Sequence, residues 1–156
     1  MQPAKESLVS TEHARSRFAP HGEILITSGG ELIRFDVHGP FNAEAFQALG
    51  YAMAELLMSW TPKGPFATIS YWHSSMLASQ DALEAYRGVL RQGRKMLPRE
   101  VTNAWVVPPS VEGRALMEAH WRKLYAECDF PLEIFDNEAA AMAFVQKRLQ
   151  AVAQAR

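Results

Sequence analysis

Residues Trp72-His73-Ser74-Ser75 place an indole, an imidazole and two hydroxyls in consecutive positions. An indole stacks on a flat ligand, an imidazole exchanges a proton near neutral pH, and a serine hydroxyl at a helix start binds an anion or accepts phosphate. A packed Trp followed by an ordinary capping turn accounts for the same four residues. A hydrolase would need Ser74 or Ser75 as nucleophile, His38, His73 or His120 as base, and Asp36 or Asp136 to orient that base. No Gly-x-Ser-x-Gly elbow is present to support this, so no residue is assigned a catalytic role and the chain reads as a non-enzyme. Cys128, the only cysteine, stands near a helix end, where a free thiol more often serves as a small core hydrophobe than as a nucleophile.

Arg87, Arg91 and Lys95 recur at intervals of four, with Arg94 and Arg99 nearby. That face would suit an anion or an acidic partner, and as a solvated helix face its cations would also suit the negative end of the helix dipole. The histidines, His13, His21, His38, His73 and His120, are scattered without the i, i+4 spacing of a ligand face, so no metal and no cofactor is expected. His120, beside Met117 and Trp121, reads as a half-buried histidine. Met53, Met58, Met76, Met96, Met117 and Met142 fill core gaps or line an adaptable apolar pocket; convergence of Trp60, Trp72 and Trp105 on a cavity would favour a ligand.

The elements that must position these residues follow from pattern. With 156 residues, 48% of them hydrophobic, the chain suits one domain that lines both faces of a sheet. Sixteen Lys and Arg against seventeen Asp and Glu leave a net charge of −1, which argues against a nucleic-acid partner. A single cysteine excludes an internal disulfide, the first twenty residues lack a secretory apolar run, and no later stretch is long enough to span a bilayer, so a cytoplasmic location is expected.

Residues 1–22 are polar and aperiodic and read as a tail or docking segment, leaving 23–156 as a single α/β domain. Residues 23–28 and 31–38 form a hairpin about Gly29-Gly30, with Ile33, Phe35 and Val37 facing one way and Arg34, Asp36 and His38 the other. Asn42 caps a helix through Phe46, Leu49, Met53, Leu56 and Leu57 that stops before Pro62. A strand over 66–72 follows, then a helix opened by Ser79 or Asp81, carrying Leu83, Tyr86, Leu90 and Leu97 and closed by Pro98. A nearly continuous apolar strand, 101–107, precedes a helix capped by Ser110. A short strand, 132–135, leads through Asp136 or Asn137 into a final helix carrying Ala141, Val145, Leu149 and Val152. The order ββαβαβαβα implies right-handed crossovers and a mixed, largely parallel sheet of about five strands begun by an antiparallel hairpin, with helices packed on it. In such sheets ligands sit beyond the carboxyl ends of the strands, here 39–42, 72–75, 107–110 and 135–137.

The Gly-turn hairpin, the strands 66–72 and 101–107, and Leu132-Glu133-Ile134-Phe135-Asp136-Asn137-Glu138 leading into an Ala-rich helix resemble the STAS superfamily, and within it the bacterial SpoIIAA-like, STAS/SEC14-type domains. The likeness spans residues 23–150. In the anti-anti-sigma members an Asp-Ser-Ser/Thr-Gly turn carries a phosphorylated hydroxyl. Here the corresponding residues read His73-Ser74-Ser75-Met76, without the Asp or the Gly. The resemblance implies a non-catalytic regulatory or protein-interaction module, contacting a partner or a second copy of itself around Trp72 to Ser75 and the helix after it; a homodimer is expected because symmetric dimers are common. The alternative is a carrier or sensor of a small apolar ligand with a pocket lined by Trp and Met. A filled, convex domain is expected of the first and an internal cavity of the second.

Overall fold

The computed structural model describes residues 6–60, 62–97 and 100–155. Pro98 and Arg99, read above as a helix stop and part of a basic face, lie outside the described residues, as do residues 1–5 of the N-terminal segment. Strands β2 (Glu23–Gly29) and β3 (Leu32–His38) pair antiparallel through a turn at Gly30-Glu31. Gly30 has φ of +59°, a conformation that costs a residue without Cβ nothing. The turn is thus one residue later than the Gly29-Gly30 pair suggests, because Gly29 still pairs with Leu32.

From β3 the chain steps in one direction across the sheet. Strands β4 (Ala67–His73), β5 (Thr102–Val106) and β6 (Glu133–Phe135) add in turn, each parallel to the one before. Three successive right-handed crossovers in one direction put their helices on one face. Those helices are α1 (Ala43–Ser59), α2 (Gln80–Met96) and α3 (Arg114–Glu127). No strand follows α4 (Glu138–Gln154), which folds over the opposite face. The result is the mixed α/β sheet with helices on it that the pattern predicts.

Local signals explain most boundaries. Asn42, Ser79 and Asn137 cap α1, α2 and α4 by accepting from the backbone N–H three residues on, resolving the Ser79 or Asp81 and the Asp136 or Asn137 alternatives. Ser110 does not cap α3, which starts later behind Gly113, at φ +75° and without a side-chain cap.

Part of the segment 1–22, read above as a tail or docking segment, joins the sheet. Glu6–Val9 forms an edge strand, β1, antiparallel to β2, and Ser10–His13 forms one 3-10 turn whose buried Ser10 Oγ accepts from Ile24 N at 2.9 Å. Four residues on an edge, with only Leu8 packed on the main core, leave too little periodicity to read from sequence.

Alternation along the strands divides the interior in two. Ile33, Phe35, Val37, Thr68, Ser70, Trp72, Asn103 and Trp105 face α1 to α3, whereas Ala67, Ile69, Tyr71, Ala104 and Val106 face α4.

Candidate functional site

The loops beyond the carboxyl ends of β3, β4 and β5 are stitched together by backbone. Phe41 N donates to Leu77 O, Met76 N to Glu112 O and Glu112 N to Ser74 O. Gly39 lies so close to Ser75 that a Cβ would stand 2.1 Å from its carbonyl oxygen, so only glycine fits there. Within Trp72-His73-Ser74-Ser75, Trp72 and Ser75 are buried and only His73 and Ser74 reach solvent. Ser75 Oγ accepts from Leu77 N, and the start of α2 is capped by Ser79, so neither Ser74 nor Ser75 stands at that helix N-terminus.

On the α4 side, His73 stacks on His38 with centroids 4.4 Å apart, and its Nε2 lies 3.3 Å from Asp36 Oδ1. Arg34 grips Asp36 with two hydrogen bonds and lies over the Tyr71 ring, whose hydroxyl donates to Glu138 at 2.8 Å. Arg34 holds the Asp36 carboxyl below the usual range, and burial followed by the Glu138 hydrogen bond pushes Tyr71 up to about 12. Arg34, Asp36, Tyr71 and Glu138 are engaged with one another, and no cluster of His, Cys, Asp and Glu among the described residues could hold a metal.

The other face is different. Between the sheet and α1 and α2 lies a cavity of about 140 Å³. This is close to the volume, about 150 Å³, of an apolar protein cavity that admits benzene. Its floor is the helix-facing row of the strands, Phe35, Thr68, Ser70, Trp72, Asn103 and Trp105, and its roof includes Leu49, Met53, Tyr86, Val89 and Gly93. Exposed Ala54, Gln92 and Met96 also line it, so it opens between the C-terminal halves of α1 and α2, away from the carboxyl ends of the strands. Gly93 contributes to the opening, since a Cβ there would meet nothing within 4 Å.

Aromatic rings form one wall. Trp72, Trp105 and Trp121 are mutually in contact, with centroids 4.6, 5.4 and 5.7 Å apart, and Tyr86 and Tyr125 pair their hydroxyls at 2.5 Å. Trp121 Nε1 donates to Met76 O at 3.2 Å. Trp72 Nε1 and Trp105 Nε1 are buried and lie outside hydrogen-bond geometry with any acceptor among the described residues, although the Trp105 indole is near enough to Tyr125 to favour its ionised form slightly. Burial dominates both tyrosines and raises them well above their usual range.

Thr68, Ser70 and Asn103 are polar residues at strand positions that ordinarily hold Val, Ile or Leu. Thr68 Oγ1 donates to Asn103 Oδ1 and also lies 3.4 Å from Glu100 Oε2. Asn103 Nδ2 has no partner in hydrogen-bond geometry among the described residues, although the amide lies close enough to Glu100 to pull that carboxyl down. Glu100, on the segment entering β5, turns its carboxyl into this end of the cavity. Burial pushes it up to about 8, against the opposing pull of Arg94, Thr68 and Asn103, so the carboxyl is largely protonated at neutral pH. Arg94 is itself occupied, donating to Asp129 O and lying over the Phe130 ring.

Trp72 and Trp105 therefore meet at a cavity, joined by Trp121, whereas Trp60 does not line it and packs on Phe66, which does. Met53 and Met96 line it, Met76 and Met117 are buried elsewhere, and Met58 is exposed. Of the basic face, Arg87 is paired with Glu84 and Glu127, and Arg91 and Lys95 are exposed. His120 is exposed rather than half-buried, because α3 turns it away from the side carrying Met117 and Trp121. Cys128 is buried at the end of α3.

Sequence reasoning missed Thr68, Ser70, Asn103 and Glu100. The available signal was the alternation itself, which puts Thr68, Ser70 and Asn103 on the same side as Trp72 and Trp105. No helix among the described residues is long and apolar enough to cross a membrane. No family model, no curated protein and no solved structure matches the chain.

Proposed function

We propose that this protein is a non-catalytic carrier or sensor of a small, mainly apolar molecule held between the sheet and helices α1 and α2. The observation that carries the reading is a cavity walled by Trp72, Trp105 and Trp121 with a polar strip of Thr68, Ser70 and Asn103 on its floor. Apolar walls with a few placed polar groups are the usual composition of a small-molecule site. Evolution of a stable core alone would favour Val or Ile at those floor positions, because buried polar groups without partners cost free energy.

The interaction-module reading has less to draw on. With Trp72 and Ser75 buried, a partner approaching that loop finds only His73 and Ser74. The resemblance to STAS domains remains part of the proposal through its element order, and a sensor built on such a module would couple the ligand to a partner.

Thermal denaturation with increasing α-methylstyrene, alongside native mass spectrometry of protein purified without denaturation, tests the reading. A saturable rise in Tm is expected, because a ligand that binds only the folded state stabilises it by mass action. Gly93→Leu, which projects a side chain into the open space beside Gly93, should abolish the rise while leaving the fold intact. No rise in either protein, with a clean unliganded mass, would overturn the proposal.

A further inference from the structure

Resting on the ligand-binding reading above, we infer that the outer face of α1 and α2, in which the cavity opens, docks on an anionic lipid bilayer and that the apolar ligand enters from that bilayer. Among the described residues, the large hydrophobic side chains left exposed are Phe18, Tyr51, Met58, Met96 and Leu116. Such residues are ordinary when scattered, but Tyr51, Met58 and Met96 share one surface. Tyr51, Ala54 and Met58 recur at the spacing of a single helix face, and all three are exposed along the solvent side of α1. Met96, half exposed, ends α2, and Gln92 Nε2 donates to its sulfur at 3.5 Å.

The two helices lie side by side on the sheet. A Cβ on Gly50 of α1 would stand 3.3 Å from Val89 Cγ2 of α2, so their outer faces make one continuous surface. Ala54 and Met96 also line the cavity, which puts its mouth inside the apolar patch. Met58, 89% exposed, belongs neither to the cavity nor to the core. Packing therefore gives no account of it, whereas insertion among lipid headgroups does.

Cations frame the patch. Arg91 and Lys95 are exposed on α2 beside Gln92 and Met96, and neither is held in an ion pair among the described residues, although Arg91 helps to pull down the Glu127 carboxyl of α3. Arg15 lies over the Tyr51 ring, 4.5 Å from its centroid. The exposed carboxylate on the C-terminal halves of α1 and α2 is Glu55, which turns to the opposite flank of α1 and meets His13 Nε2 at 2.7 Å. The whole chain has a net charge of −1, so the attraction is local, and carboxylates beyond a Debye length, about 8 Å, are largely screened. Arg and Lys on such a rim reach phosphate oxygens while their stems and the apolar residues between them sink into the headgroup region.

A second copy suits this face less well. A two-fold axis that placed two such faces together would bring Arg91 and Lys95 of both chains toward one another. A bilayer supplies the anions and also the ligand. At about 140 Å³ the cavity takes a molecule of one ring, too small for a whole lipid, and an apolar molecule of that size concentrates in a bilayer rather than in water.

Flotation of the intact chain with vesicles of phosphatidylcholine alone, and of phosphatidylcholine mixed equally with phosphatidylglycerol, tests the inference. The protein should float with the anionic vesicles, stay behind with the neutral ones, and be released by high salt. Arg91→Gln combined with Lys95→Gln should weaken partitioning about 25-fold, about fivefold for each charge removed near an anionic surface. Met58→Ser should weaken it without changing any charge. Met58, Arg91 and Lys95 do not line the cavity, so the rise in Tm with α-methylstyrene should be the same in these variants as in the parent. Equal flotation with both vesicles, no flotation, or undiminished flotation of the Arg91 and Lys95 variant would overturn the docking inference, and a persisting Tm rise would leave the ligand site standing. Flotation without any Tm rise would overturn the ligand function and leave a docking face without cargo. A dimer in size-exclusion chromatography that Met58→Asp splits would overturn the inference by making a second copy the occupant.

Discussion

The two faces of the sheet are built from the same strands to different specifications. On the α4 side, Ala67, Ile69, Ala104, Val106, Ala141 and Val145 close against one another, and the polar groups at the rim, Arg34, Asp36, Tyr71 and Glu138, are engaged. On the α1 to α3 side, the strands present Thr68, Ser70 and Asn103 among tryptophans, and a cavity remains. All the buried unpartnered side-chain atoms among the described residues, Ser28 Oγ included, belong to this second side. Side chains of one strand alternate between the two, so neither strand propensity nor overall hydrophobicity explains the contrast. The α4 face is packed for stability, and the cavity face gives up stability for a space.

Neighbouring residues on β4 offer the strongest way to break that contrast. Ile69→Ala, on the filled face, should cost about 3 kcal/mol in chemical denaturation, the usual loss for a buried aliphatic side chain. Glu100→Gln comes next, and its effect depends on pH. Unfolded, Glu100 ionises near 4.5, and folded it does so at about 8, so the native state keeps a proton that the unfolded chain has already released. Stability therefore falls as pH rises across that window and levels off above it. Glu100→Gln should remove that slope, leaving the variant more stable than the parent by on the order of 2 kcal/mol at pH 6 and nearly equal to it at pH 4. Urea denaturation across that range measures the difference.

Ser70→Val, one residue from Ile69 on the opposite face, should change stability in the other direction. Filling part of the cavity with a β-branched apolar side chain should stabilise by about 1 kcal/mol and weaken binding of α-methylstyrene. A loss comparable to that of Ile69→Ala would mean that Ser70 is structural and the two faces are not so different. The smallest effect belongs to Gly93→Ala, which meets no neighbouring atom and should raise stability by about 0.5–1 kcal/mol through helix propensity alone.

Much of this fold is legible in the sequence because the signals are local. Asn42, Ser79 and Asn137 stand where caps belong, and the alternation from Glu31 to His38 gives the faces of β3 correctly. The start of α3 is not legible from Ser110, because backbone at Gly113 sets it. Strand β1 is hidden because its partner β2 lies many residues away and supplies the regularity that Glu6–Val9 lacks. The site was legible only in part. Trp72 and Trp105 stand out by type, but Thr68, Ser70 and Asn103 look like ordinary polar residues until the sheet places them on one floor. Glu100 reads as a loop carboxylate, and only its burial beside Thr68 and Asn103 gives it chemistry.

The central claim, that the cavity face is a ligand site, is tested most directly by following the four indole N–H signals in a ¹⁵N-correlated NMR spectrum during titration with α-methylstyrene. Trp72 and Trp105 should shift saturably and together, because both indoles line the cavity, and by more than Trp60, which touches it only through Phe66. Unmoved Trp72 and Trp105 signals at saturating probe, or movement confined to Trp60, would contradict the account.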